Sequence, residues 1–200
     1  MPTSGAALTA VSISATLHCL TGCAIGEVVG VAIGTAVGLS NGATIALAIA
    51  LAFLFGYSLT SFPLLRAGLA LGAVIPIALA TDTLSIATME IVDNIILLLI
   101  PGAMDAGLDR VLFWGSLAFA LAIAGLFALP VNRWLIARGK GHAVVHQTGI
   151  HGGPPVKLVA WITAAAFVFG SAVLVAEALN GEETDGRQEA PAAERQAVVG

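Results

Sequence analysis

Long apolar stretches separated by short polar breaks make up most of this chain. Four stretches have the length and composition of single membrane spans: residues 14–39, 44–65, 111–135 and 156–179. A helix needs about 20 mostly apolar residues to cross a bilayer, and each of these segments is long enough. The pattern therefore predicts an all-α fold, an integral membrane bundle of about five transmembrane helices, with the remaining span in residues 67–100.

The stretch of residues 67–100 is too long for one straight span. It contains Pro76 and becomes polar at Thr81-Asp82-Thr83. Proline lacks a backbone donor and often kinks or ends a helix. We predict a short apolar helix to about Ala80, a kink or break, and a polar-faced span over residues 82–100. A single crossing gives five spans, which we favour. If residues 67–80 cross alone, the chain has six.

The spans suggest four consecutive regions. We expect a four-span core domain over residues 14–146, a His/Gly/Pro loop over 147–155, an additional transmembrane helix over 156–179 and an acidic disordered tail over 180–200. In the five-span arrangement most basic residues fall on one side of the membrane: Arg66, Arg133, Arg138, Lys140 and Lys157. Basic residues accumulate on the cytoplasmic side. We therefore expect a cytoplasmic N-terminus and an external C-terminal tail.

Composition narrows the class of protein. With 58% hydrophobic and 10% charged residues and a mean hydropathy of +0.98, the chain is not an ordinary soluble domain, and its main partner is the lipid bilayer. The eight Lys and Arg are scattered, so no basic patch for nucleic acid is formed. The sequence contains no serine-hydrolase, zinc-protease, P-loop or dinucleotide motif, so no catalytic residue is assigned.

A row of glycines runs along the first span at i, i+4 spacing. In lipid, small residues let two helices approach closely. We expect this face to pack against another helix and to support a homo-oligomer or a membrane partner. The row consists of Gly22, Gly26, Gly30, Gly34 and Gly38.

Four acids lie deep within the predicted spans, and no Lys or Arg lies as deep: Glu27, Asp82, Glu90 and Asp93. A buried carboxylate is costly unless it is paired, protonated or in contact with water. Since basic partners are missing, the options are hydrogen-bonded neutral carboxyls, a bound cation or a wet cavity. Asp82 also has a simpler role as the cap of the helix that follows it.

Soft ligands accompany these acids. The first and third spans run in the same direction in the five-span topology, so Glu27 should lie level with Glu90 and Asp93, and Cys23 near Met89. Thiolates and thioethers suit Cu(I), imidazole suits zinc or copper, and carboxylates suit harder ions. The mixture favours a transition-metal path, with packing or hydrogen bonding of the same side chains as the alternative. The candidate ligands are His18, Cys19, Cys23, Glu27, Met89, Glu90 and Asp93.

Two further segments carry candidate ligands outside the spans. His142 and His146 would share one face if residues 138–147 were helical, and could then hold a metal ion; the alternative is that these loop histidines are only solvated. Met104 and Asp105 follow the third span. They are candidates for the point where an ion enters or leaves the membrane.

Several long motifs resemble a bacterial family of multi-spanning membrane proteins described as a domain of unknown function. They are LHCLTGCAIGEVVG at residues 17–30, FLFGYSLT at 53–60, DTLSIATMEIVDN at 82–94, PGAMDAGL at 101–108 and PVNRWLIARGKGHAVVH at 130–146. The resemblance implies a helical inner-membrane protein. It also favours copper among the candidate metals, because related domains are sometimes joined to copper-protein modules, but it supplies no reaction and no site. The last span and the tail look like additions to the family's domain.

These observations give one leading hypothesis and two alternatives. The leading hypothesis is a membrane protein that binds or transports a cation, favouring a soft transition metal such as copper. The first alternative is a structural or assembly subunit that packs through its glycine-rich helix. The second is a membrane thiol redox protein that uses Cys19 and Cys23.

Overall fold

The computed structural model describes residues 5–140 and 156–188, and these residues form long α-helices joined by short turns. The helices are α1 (Gly5–Val37), α2 (Asn41–Arg66), α3 (Leu71–Leu99), α4 (Val111–Ala137) and α5 (Val156–Gln188), with one 3₁₀ turn at Ala103–Asp105. Each helix contains a segment long and apolar enough to cross a membrane. The prediction of an all-α membrane bundle with about five spans is therefore confirmed.

The third span is one continuous helix, so a break near Ala80, one of the two predicted possibilities, is wrong. Thr81 and Asp82 are 1% and 0% exposed and lie inside the bundle, and Asp82 is not at a helix start where it could act as a cap. Thr83 donates to the carbonyl of Leu79 at 2.6 Å. Neighbouring helices can compensate for polar side chains and for a proline such as Pro76 within a membrane span. Polarity in this segment therefore marks an interior face.

Helix α1 lies at the centre of the bundle, in contact with α2, α3 and α4. Its glycines face α2 so closely that added side chains would collide with it. A Cβ on Gly22 would lie 2.7 Å from the Cα of Gly56, and a Cβ on Gly30 would lie 2.5 Å from the Cα of Ala48. Gly26 and Gly34 face Ala52 and Thr44 in the same way.

Gly38 differs from the other four glycines of the row. It follows the end of α1 with a φ of +73°, where glycine is favoured, and a Cβ there would meet nothing within 4 Å. The rest of the row is covered by α2 of the same chain. A homo-oligomer would therefore have to form through another face.

Helix α5 is peripheral and packs mainly on α4. A Cβ on Gly170 would lie 2.6 Å from the carbonyl oxygen of Gly115, and the rings of Phe119 and Phe167 stack with centroids 5.4 Å apart. The helix continues to Gln188. The sequence prediction ended this span at residue 179 and placed the following residues in the tail. The predicted loop over residues 147–155 and residues 189–200 lie outside the described residues.

The two ends of the bundle differ in charge. At the basic end, Arg66 lies over the ring of Phe62 at 4.3 Å and Arg138 over the ring of Trp134 at 4.2 Å. Aromatic and basic side chains of this kind are typical of a membrane–water interface. The opposite end carries the turn between α1 and α2 and the connection of residues 100–110, and we call it the loop end.

Candidate cation site inside the bundle

Three carboxyl groups meet in the half of the bundle nearer the loop end. Glu27 comes from α1, and Glu90 and Asp93 come from α3, where a spacing of three residues puts both on one face. They are 6%, 4% and 1% exposed. Helices α1 and α3 are in contact, and Cys23, one turn before Glu27, touches Met89, the residue before Glu90. The three groups therefore form one buried cluster, which we call the acidic cluster.

The acidic cluster lacks hydrogen-bond donors. Five of its six carboxyl oxygens accept no hydrogen bond from any described residue: Glu27 Oε1, both of Glu90 and both of Asp93. The sequence supplies no Lys or Arg in residues 1–65 or 67–109, so α1, α2 up to its last residue, and α3 carry no cationic Lys or Arg that could approach these acids. A buried charge without compensation is strongly unfavourable. The cost of burying such acids is offset when they are protonated or lie beside a positive charge.

Two sulfur atoms touch next to the acidic cluster. The Sγ of Cys23 lies 4.0 Å from the Sδ of Met89. Cys23 is one turn of α1 before Glu27, Met89 directly precedes Glu90, and both sulfur-bearing residues are at most 1% exposed. The prediction that Cys23 lies near Met89, made from the parallel direction of the first and third spans, is thereby confirmed. We call Cys23 and Met89 the sulfur pair.

Cys19 has a different partner from Cys23. Its Sγ lies 3.8 Å from the Oδ1 of Asp82. Asp82 is seven residues before Met89 on α3, which places it about 10 Å nearer the basic end. The two cysteines are free and buried. Each faces its own position on α3, so the predicted ligands divide into two levels along the bundle.

Closer to the basic end, α1, α3 and α4 are tied together by one amide. The Nδ2 of Asn132 donates to the Oγ1 of Thr16 and to the Oγ of Ser85, each at 2.9 Å. Thr16 in turn donates to the carbonyl of Ser12 at 2.9 Å. Asn132 is 1% exposed. We call Asn132, Thr16 and Ser85 the amide node. In contrast to the acidic cluster, its polar groups are satisfied.

A cavity of about 240 Å³ opens at the loop end. It lies among α1, α2, the end of α3, the 3₁₀ turn and the start of α4. Its polar lining residues include Glu27, Thr35, Asn41, Thr44, Asn94, Asp105 and Ser116. Near the mouth, the Nδ2 of Asn41 donates to the Oδ1 of Asp105 at 2.8 Å. The cavity connects the surface of the loop end with the Glu27 side of the acidic cluster.

Residues 10–141 match the model of a family described as a domain of unknown function, DUF4396. The chain belongs to the DUF4396 family. The match spans α1 to α4 from residue 10 onward and so includes the acidic cluster, the sulfur pair and the amide node, whereas α5 follows it. No curated protein and no solved structure matches the chain.

The predicted ligands of this DUF4396 domain are only partly brought together. Cys23 joins Met89, Glu27 joins Glu90 and Asp93, and Cys19 joins Asp82. In residues 5–140 and 156–188, no three His, Cys, Asp or Glu side chains converge closely enough to hold a metal ion. The sulfur pair and the acidic cluster are therefore neighbouring but separate groups in this conformation.

His18 points toward α2. Its Nε2 lies 3.0 Å from the Oγ1 of Thr60. The reason is its position: His18 precedes Gly22 by four residues and so shares the face of α1 that packs on α2. His142 and His146 lie outside the described residues.

Asn132 is a buried polar residue whose contacts were not predicted from the sequence. It lies in the motif at residues 130–146. The sequence does show an amide side chain within an apolar span, two residues after Pro130, and this could have marked Asn132 as a buried polar residue. A polar side chain at such a depth needs partners on neighbouring helices, but the sequence does not say that they are Thr16 and Ser85.

Proposed function

We propose that this protein binds a cation within the membrane and moves it across the bilayer, and that the cation is a soft transition metal such as copper. The observation that carries the proposal is the contact between Cys23 and Met89 beside three buried carboxyl groups that lack basic partners. Sulfur selects the ion, and the carboxyls offset its charge.

The sulfur pair has a separation suited to sharing one ion. Metal–thiolate bonds are about 2.3 Å long for zinc. An ion at that distance from two sulfurs 4.0 Å apart would have an S–metal–S angle of about 120°. This angle fits trigonal coordination, and a thiolate with a thioether is a donor set that favours Cu(I).

The acidic cluster supports passage rather than selection. Carboxylates bind soft ions less firmly than sulfur does, so an ion can leave them easily. The groups follow one another along α1 and α3, from the cavity to Glu27, to Glu90 and Asp93, to the sulfur pair and then to Cys19 with Asp82. Asp93 and Asp82 are eleven residues apart on α3, so this series covers about 16 Å of the membrane.

Neither alternative function gains a comparable observation. Cys19 and Cys23 are buried and face different positions on α3, an arrangement that does not favour exchange between a dithiol and a disulfide. Most of the glycine row is occupied by α2 within the chain, so it offers no open surface to an assembly partner.

The orientation and the membrane also belong to the proposal. The basic end carries Arg66, Arg133, Arg138 and Lys140, and the positive-inside rule places such an end in the cytoplasm. We therefore place the protein in the bacterial inner membrane with its N-terminus inside and the loop end outside. A homo-oligomer, if formed, would use a lipid-facing surface other than the glycine row.

Metal content and uptake test the proposal. The full chain is purified in mild detergent, supplied with Cu(I) and analysed for metal, and we expect about one ion per chain. Cys23→Ala and Met89→Leu should each remove most of it. Met104→Leu, at the loop end, is the matched methionine control and should retain it. In proteoliposomes, Glu90→Gln and Asp93→Asn should bind copper but lose most of the uptake.

Two results would contradict the proposal. One is a wild-type protein that neither retains nor takes up a transition metal. The other is equal copper content in the Met89→Leu and Met104→Leu variants, because that would separate binding from the sulfur pair.

A further inference from the structure

The cavity at the loop end has a buried carboxyl at its floor. Glu27 lies ten residues before the end of α1, about 15 Å below the end of the helix. It is 6% exposed, and its Oε1 accepts no hydrogen bond from the described residues. The oxygen is therefore buried, polar and unsatisfied at the inner limit of a polar cavity.

The charged residues of the lining are all acidic. Among the residues that line the cavity, the charged ones are Glu27 at the floor and Asp105 near the mouth. Asn41, Asn94 and the hydroxyl residues add oxygen ligands between them. Carboxylate, amide and hydroxyl oxygens can replace the water around a cation. A cleft of one charge sign within apolar walls also concentrates counter-ions.

The size of the cavity suits an ion that still carries water. A volume of about 240 Å³ has room for several water molecules, because one water needs only about 10–15 Å³ of such space. The half of the bundle nearer the basic end is packed differently. There the buried amide node holds α1, α3 and α4 together, because Asn132 donates hydrogen bonds to both Thr16 and Ser85. The structure is thus open toward the loop end and closed by packing toward the basic end.

We propose that the loop-end cavity is a cation vestibule, in which a hydrated cation from the loop-end side exchanges part of its water for protein oxygens and is received by Glu27. The Asn41–Asp105 hydrogen bond spans the mouth and must open or shift as the ion passes. The role of the vestibule in transport rests on the proposed cation function. That the vestibule admits ions from the loop-end side depends on the cavity alone.

Cysteine labelling tests the vestibule without any metal. In a Cys19→Ala/Cys23→Ala background, Asn94→Cys places a thiol on the cavity wall. Ile95→Cys is the matched control, because Ile95 is the next residue and is 51% exposed outside the cavity, on a surface that faces lipid. Asp109→Cys, in the exposed connection, reports which side of the membrane the loop end faces. Spheroplasts and inverted vesicles are treated with membrane-impermeant methanethiosulfonates, one carrying a trimethylammonium group and one a sulfonate.

The vestibule predicts three results. The Asn94→Cys variant reacts from the same side as the Asp109→Cys variant, whereas the Ile95→Cys variant does not react. At Asn94→Cys the cationic reagent should be faster than the anionic one by about tenfold or more. Adding Glu27→Gln should reduce that preference severalfold, because it removes the negative charge at the floor.

The inference is overturned if the Asn94→Cys variant is unreactive, reacts only from the opposite side, or shows no preference for the cationic reagent. It is also overturned if Glu27→Gln leaves the preference unchanged. A protein that passes these tests but takes up no copper keeps its vestibule and loses the soft-metal assignment. The reverse outcome would leave the metal assignment and remove the vestibule.

Discussion

Replacing Gly26 with alanine should separate α1 from α2 and destabilise the bundle. The added Cβ would lie 2.5 Å from the Cα and 2.8 Å from the Cβ of Ala52. Carbon atoms in favourable contact are about 3.5–4.0 Å apart. The two helices must therefore move apart locally by about 1 Å. Overpacking of this kind costs about 1–3 kcal/mol of unfolding free energy.

The added Cβ would also collide with backbone atoms of Ala52, which a change of side chain at residue 52 cannot remove. Removing the facing methyl with Ala52→Gly eliminates the contact to Cβ but leaves the contact to Cα. The double variant Gly26→Ala/Ala52→Gly should therefore stay less stable than the wild type. Gly72→Ala is the matched control, because a Cβ at that helical position meets nothing within 4 Å. It should leave stability unchanged or raise it slightly, since alanine is the better helix former.

Thermal unfolding in detergent measures the effect. Cys19 and Cys23 are buried, so a thiol-reactive dye reports the opening of the bundle directly. For a chain of this length, the expected loss corresponds to a fall in Tm of about 2–12 °C. The reasoning fails if Gly26→Ala and Gly72→Ala melt together, or if Ala52→Gly restores the Tm fully.

Two further predictions concern the amide node and the orientation. Asn132→Leu should lower the unfolding free energy by about 1–2 kcal/mol in the same dye assay, because it removes two interhelical hydrogen bonds; Thr21→Val is the control, as Thr21 is exposed and donates only to the carbonyl of Leu17 in its own helix, and an equal loss in both variants would refute the role of the node. A reporter fused after Gly200 should be external and one inserted at residues 139–153 cytoplasmic, and finding both on one side would exclude the proposed arrangement.

The sequence was sufficient for the spans because each span depends on average hydropathy over many residues. It failed in the first half of α3, where the same residues, Thr81 and Asp82, are compatible with a break in the helix or with a buried face. Which of the two occurs depends on whether other helices supply partners. Those helices are far away in the chain, so local pattern cannot decide the matter.

The sequence was enough to predict how deep in the membrane each candidate residue lies, but not which neighbouring helix its side chain faces. The parallel course of α1 and α3 was enough to put Cys23 beside Met89. It did not show that Cys19 would face Asp82 or that His18 would face Thr60 on α2, because these contacts depend on the rotation of each helix about its axis. The rotation of α1 is set by close contact between its glycines and α2. To predict that contact, one must know that α2 is the helix that packs on the glycine row.

The difference between the two halves of the bundle is itself an argument for function. Near the basic end, buried polar side chains form hydrogen bonds that hold three helices together. Near the loop end, the same bundle leaves five carboxyl oxygens without a donor. Unsatisfied buried polar groups destabilise a fold. Packing alone gives no reason for acids at Glu27, Glu90 and Asp93, since an apolar side chain can be buried without the desolvation cost of a carboxyl. The proposed function would give a reason, because it uses negative or protonatable oxygens inside the membrane, and in that proposal the cavity that reaches Glu27 is the route by which the cation arrives.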